Sequence, residues 1–343
     1  MRTRRITAGL SILAAAAAVA TVIGTASSAG AATALPGHVF APYFEAYNGD
    51  NPYTLSQQSG AKYLTLAFFQ TEKKGSCTVY WNGDTGQPVS SGTYGSQITQ
   101  IQNAGGNVIP SFGGYSADHD GTDIADSCTT VSKIAAAYEK VISTYNVPRI
   151  DLDVEDNSLS NSSGITRRSQ AIAQVESWAA ANGRSLQVSY TLPSSPSGLE
   201  SSGKNVVQNA INNNARADVV NMMTFDYYDG STHNMLNDAE SAGNGLVSQL
   251  HTLYPSKSTA QRWAMVGITQ MIGIDDYGAP ETFKTSQVTP LQTWATSQGV
   301  NTLSFWALQR DNGGCVGTKG AGTCSGVSQP TWYFSHVFEH FTR

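Results

Sequence analysis

Asp151, Asp153 and Glu155 stand at alternate positions of the run Arg149-Ile150-Asp151-Leu152-Asp153-Val154-Glu155. In an extended strand such residues leave one face at steps of about 6.6 Å, while Ile150, Leu152 and Val154 leave the other. Three carboxylates on one face repel each other unless they share protons or meet positive charge. Burial adds to that repulsion and raises the pKa of at least one member. A carboxyl that stays protonated near neutral pH is a general acid. The competing readings are a solvated acidic face on an edge strand and a metal site. Side chains alternating on a rigid strand point in parallel and do not converge as a calcium loop does, so no metal ligand set is expected here.

The acid needs a scaffold that points this row into a cleft. Apolar, strand-like runs recur over residues 38–43, 63–69, 107–112, 149–154, 186–192, 219–224, 263–269 and 302–306. Helical patterns fill the intervals, most clearly over 130–145 and 166–181, where Ile172, Val175 and Ala179 follow helical spacing. Eight strand–helix alternations predict a parallel sheet closed into a (β/α)8 TIM barrel, an α/β fold with a single catalytic domain over residues 32–343. A doubly wound open sheet is the competitor. Against it, the first strand runs into Phe44-Glu45-Ala46-Tyr47 instead of a glycine-rich phosphate-binding turn. In a barrel the chemistry sits at the C-terminal strand ends, so Glu155 lies at the mouth, with Asp153 and Asp151 successively deeper. Tyr43, Glu45, Gln70, Tyr190, Gln270 and Asp275 sit at other strand ends and are expected in the cleft, and Trp306 offers a flat aromatic face there for binding.

Composition narrows the partners. Arg2, Arg4 and Arg5 precede an apolar stretch from Leu10 to Ile23 and then small residues up to Ala31, the order of a secretory signal peptide over residues 1–31. Its removal takes away three arginines and no acid, moving the net charge from -5 to about -8. An acidic surface is not built for nucleic acid, and no later segment is apolar for long enough to span a bilayer. A secreted, extracellular monomer is expected, without a membrane in its mature form. Cys77, Cys128, Cys315 and Cys324 form an even set that suggests two disulfides. Pairing Cys315 with Cys324 across a glycine-rich loop leaves Cys77 with Cys128, although the sequence permits three connectivities.

The chain resembles the family 18 glycoside hydrolases, the chitinase family, whose fourth strand carries a D-x-D-x-E motif. Three further stretches carry the likeness over nearly the whole mature chain: Ser111-Phe112-Gly113-Gly114, Met223-Thr224-Phe225-Asp226-Tyr227, and Trp306. The resemblance implies a secreted chitinase that cleaves β-1,4 bonds of chitin or N-acetylglucosamine oligosaccharides, with internal cleavage expected. It also implies a substrate-assisted retaining mechanism that requires no cofactor. Glu155 would act as acid and base, Asp153 would orient the substrate acetamide, and Asp151 would bias the protonation of Asp153. Asp226 and Tyr227 would hold the acetamido oxygen, with Met223 beside them. Two departures stand out: Phe225 occupies a position where the family commonly has tyrosine, and Pro148-Arg149 replaces the usual D-G before the motif. An endo-β-N-acetylglucosaminidase would share every one of these residues, and a non-catalytic chitin-binding barrel would share the cleft.

Overall fold

The structure, a computed structural model, describes residues 32–342. The eight barrel strands are β1 (two pieces, Val39–Phe40 and Tyr43–Glu45), β2 (Tyr63–Thr71), β3 (Asn107–Gly113), β4 (Arg149–Asp153), β5 (Gln187–Ser195), β6 (Val219–Met223), β7 (Val266–Met271) and β8 (Thr302–Trp306). Each pairs in parallel with the next. The ring closes through β1, whose first piece pairs with β8 and whose second pairs with β2. The break falls at Pro42, which has no N–H to give to a ladder. The barrel read from the sequence is therefore present.

Strand parity sorts the interior from the helical layer. Ile150, Leu152 and Val154 join Val188, Tyr190 and Leu192 in the apolar layer beneath the helices. Asp151 and Asp153 point the other way, beside Ser111, Ser189, Thr191, Asn221 and Thr269, all buried. Helix Val131–Tyr145 packs Ile134, Tyr138, Val141 and Ile142 onto that layer and ends at Asn146 in the left-handed region. Helix Ser162–Ala181 starts four residues earlier than residue 166, because Asn161 accepts the Gly164 N–H as its cap. The seventh strand starts later than residue 263. Ser258 and Gln261 form a capping box that winds Thr259–Trp263 into a helical turn before the strand can begin.

Cys77 pairs with Cys128 and Cys315 with Cys324, the connectivity that local pairing suggested. The proposed signal segment lies outside the described residues. Among those described, no helix is long and apolar enough to cross a membrane.

Candidate active site

Asp151 is buried at the centre of the barrel and all its acceptor capacity is used. Its Oδ2 lies 3.1 Å from the Tyr43 hydroxyl and 2.7 Å from that of Ser111, and its Oδ1 lies 2.6 Å from Ser189 and 2.9 Å from Thr191. Burial pushes its pKa up while these four hydroxyls pull it down. The register supplies them, since Ser111 and Ser189 are the β3 and β5 neighbours of Asp151.

Asp153, one step nearer the mouth, is buried without such support, and its Oδ1 makes no hydrogen bond among the described residues. Burial, then the charges of Glu155, Asp151 and Asp118, hold its pKa well above the usual carboxylate range. Glu155 follows in extended backbone, so the alternation continues past the strand end. Burial lifts its pKa to about 7, with Asp226 and Asp156 adding to the rise and the Tyr115 backbone N–H opposing it. A carboxyl poised near neutrality at a cleft mouth can both give and take a proton.

The cleft above holds about 1030 Å³ and is lined by Tyr43, Gln70, Asp153, Glu155, Met223, Asp226, Tyr227 and Trp306. Eight of the residues singled out in the sequence thus meet in one place. Trp306 borders it, stacked on Phe68 at 5.8 Å and tilted against Tyr43 at 5.7 Å. Asp226 is locked by a reciprocal clasp: its N–H donates to Asp275 Oδ2, and its Oδ1 accepts the Tyr277 N–H. Burial is the first cause of both raised pKa values, about 6 for Asp226 and about 8 for Asp275. Asp226, Asp275 and Glu281 bring carboxylate oxygens within 4.8 Å of one another. Backbone N–H groups already engage them, since Glu281 takes those of Tyr227 and Tyr228 and Asp275 also takes that of Gly278. The cluster therefore reads as a tie between two loops. Tyr227 borders the cleft, but its ring packs on His233 and its buried hydroxyl bonds no described residue.

Two expected cleft residues face elsewhere. Tyr190 is fully buried in the layer under the helices, because Ser189 and Thr191 take the inward positions of β5. Gln270 is buried away from the cleft with its amide on Thr224 Oγ1 at 2.5 Å, while Thr269 and Met271 line the wall. Glu45 and Asp275 are also absent from the lining; Glu45 accepts from Tyr47 and Asn48. Conversely, Phe68 escapes sequence reasoning. Simple alternation from Leu64 and Leu66 would send it outward, but a register shift between Leu66 and Phe69 turns it into the cleft.

The family model for "Glycosyl hydrolases family 18" matches residues 39–312. Among solved structures, the catalytic domain of the hyperthermophilic chitinase from Pyrococcus furiosus aligns over 90% of this chain and 96% of its own, at 29% identity and TM-score 0.78. The "Probable bifunctional chitinase/lysozyme" of Escherichia coli (strain K12) is 29% identical over 90% of this chain and 35% of that protein. "Endochitinase 11" of Metarhizium anisopliae is 29% identical over 81% of this chain and 53% of its own length. The chain thus spans about a third and about half of these two relatives.

Proposed function

Since the chain belongs to glycosyl hydrolase family 18, we propose that it is a chitinase, hydrolysing β-1,4 bonds between N-acetylglucosamine units with assistance from the substrate itself. The Glu155 carboxyl protonates the glycosidic oxygen. The acetamido carbonyl oxygen of the sugar on the glycone side attacks the anomeric carbon as the leaving chain departs, giving an oxazolinium ion. Ionised Glu155 then takes a proton from water, whose oxygen opens that ion with net retention. Asp153 accepts the acetamide N–H and offsets the positive charge of the intermediate, and Trp306 supports the ring at the bond being cut.

One observation carries this reading: a carboxyl with a pKa of about 7 stands over a buried neighbour, Asp153, which lines the same cleft and whose Oδ1 has no hydrogen-bond partner among the described residues. Asp151, its acceptors filled by four hydroxyls, is in no position to serve as a second nucleophile. Catalytic-site mutants of the Pyrococcus furiosus chitinase were solved with chito-oligosaccharides, which supports the substrate class. Export from the cell is part of the same proposal, and two disulfides in the described chain favour an oxidising compartment.

An N-acetylglucosamine hexamer and a high-mannose glycoprotein assayed in parallel test it. Hexamer cleavage to internal products is expected, with Glu155→Gln lowering kcat by about 100- to 10,000-fold while oligosaccharide binding persists. Release of glycan without hexamer cleavage would overturn the substrate. Unchanged turnover in Glu155→Gln would overturn the mechanism.

A further inference from the structure

The turn after β3 brings a fourth carboxyl to the acidic row. Gly113 pairs with Asp153, and the Gly114 N–H donates to the Asp153 carbonyl at 3.1 Å, so the short helix Tyr115–Asp120 starts directly beside β4. A Cβ on Gly113 would fall 2.1 Å from that carbonyl, at a φ of 97° that side chains rarely adopt, so glycine is required for the approach. The chain then leaves the sheet. The backbone N–H of Glu155 lies beyond the end of β3, and the carboxylate of Asp118 accepts it in place of a strand carbonyl. The Tyr115 N–H faces the carboxyl of the same glutamate. One helical turn therefore holds Glu155 at its main chain and at its side chain.

Asp118 is an expensive way to bind one peptide N–H. It is completely buried, its Oδ1 has no hydrogen-bond partner among the described residues, and Asp123, Asp153 and Glu155 stand around it with Arg168 as the cation of the group. Of the Arg168 guanidinium, Nη2 bonds Asp123 Oδ1 at 2.8 Å, while Nε and Nη1 bond no described residue. A neutral amide would bind the N–H with less desolvation. A carboxyl retained there points to a role in the reaction.

We propose that Asp118 is a positioning residue for Glu155, fixing the Val154–Glu155 peptide so that the acid's carboxyl is held at the scissile oxygen. This rests on the reading of Glu155 as general acid. Asp118 touches neither substrate nor reacting atoms, so its removal should appear in kcat and hardly in KM. Burial, then the charge of Asp123, raises its own pKa well above the usual carboxylate range, so Asp118 titrates together with Asp153 and Glu155 and the pH profile reports on it separately.

Full pH profiles of kcat and KM on the hexamer, for Asp118→Ala, Asp118→Asn and Glu155→Gln, decide the matter. Asp118→Ala should lose about 10- to 100-fold in kcat, the effect of a small misplacement of a catalytic group. Asp118→Asn keeps an oxygen for the Glu155 N–H and should recover most of that loss. Its basic limb should move to lower pH, because a coupled titrating acid has been removed from beside the row. Wild-type kcat in Asp118→Ala would overturn the proposal, as would an equal loss in both variants with an unshifted limb. If Asp118→Ala does not fold, the Asp118→Asn profile alone decides, a shifted limb supporting the role and an unshifted one overturning it. Turnover surviving in Glu155→Gln would bring down the reading beneath; normal Asp118→Ala beside inactive Glu155→Gln would bring down only this inference.

Discussion

Strand β4 carries Arg149 at one end of the barrel and leads to Glu155 at the other, on a single inward row of alternating residues. Both ends bury charge, yet they satisfy it differently. The Arg149 guanidinium is bound by Gln187 Oε1, Asn301 Oδ1 and Thr302 Oγ1 at 2.8 to 3.1 Å, all neutral acceptors. Burial lowers its pKa to about 10, with Asp218 and Asp151 opposing. At the mouth the carboxyls are pushed towards their neutral forms as well, but Asp153 Oδ1 and Asp118 Oδ1 have no partners among the described residues. The closed end uses its hydrogen bonds for structure, whereas at the open end Asp153, which lines the cleft, keeps an acceptor free for a ligand.

That contrast predicts a division of effects. Arg149→Ala leaves a cavity and the Gln187 and Thr302 oxygens without the guanidinium donor, Asn301 Oδ1 keeping that of the Thr302 hydroxyl, and should lower unfolding free energy by about 3–5 kcal/mol. Turnover per folded molecule should be unchanged. Denaturant midpoints together with active-site-normalised kcat check it, and loss of kcat without loss of stability would erase the distinction between the ends.

Asp153→Asn should do the reverse. It removes the carboxyl that can ionise against the oxazolinium ion as that cation forms, and should lower kcat about 100-fold, roughly 2.7 kcal/mol of barrier. A midpoint equal to or above that of the native chain is expected, since a costly buried acid is gone. A strongly destabilised Asp153→Asn would mean that the mouth, too, is held together by its charges.

How much of this was legible follows from parity. The barrel and the row of Asp151, Asp153 and Glu155 could be read because apolar and acidic residues alternate cleanly and the eight runs recur. Tyr190 and Gln270 were misread because a large polar side chain at a strand end suggested a ligand, whereas their smaller neighbours Ser189, Thr191 and Thr269 hold the inward positions. Phe68 was hidden by a bulge, which no periodicity announces. Asp118 was hidden because it reaches Glu155 from a short helix after a Gly-Gly turn, 37 residues away in the chain. Arg149 looked like a departure from the family pattern; counted in steps of two it belongs to the acidic row and closes the barrel end.

The smallest expected effect is also the one that tests the whole mouth at once. Carboxyls there bind protons more tightly in the folded chain than their ordinary values of 3.8 and 4.5, with Glu155 raised to about 7, Asp226 to about 6 and Asp275 to about 8. Between about pH 4 and pH 8 the folded state therefore holds protons that the unfolded state has released, and stability must fall as pH rises through that window. His233, raised by its bonds to Asp229 and Asp238, acts in the same direction. Thermal unfolding at pH 5, 6.5 and 8 should show Tm declining by a few degrees, at about 2–4 °C per kcal/mol for a chain of this order of size. The decline should be shallower in Asp153→Asn, which removes one such proton, and unaltered in a lower-end variant, Arg149→Gln, which carries no charge to titrate. A flat Tm across the window would mean that the mouth ionises at ordinary carboxylate values. Glu155 would then be charged at neutral pH, and the basic limb of kcat/KM expected near pH 7 would lie far lower.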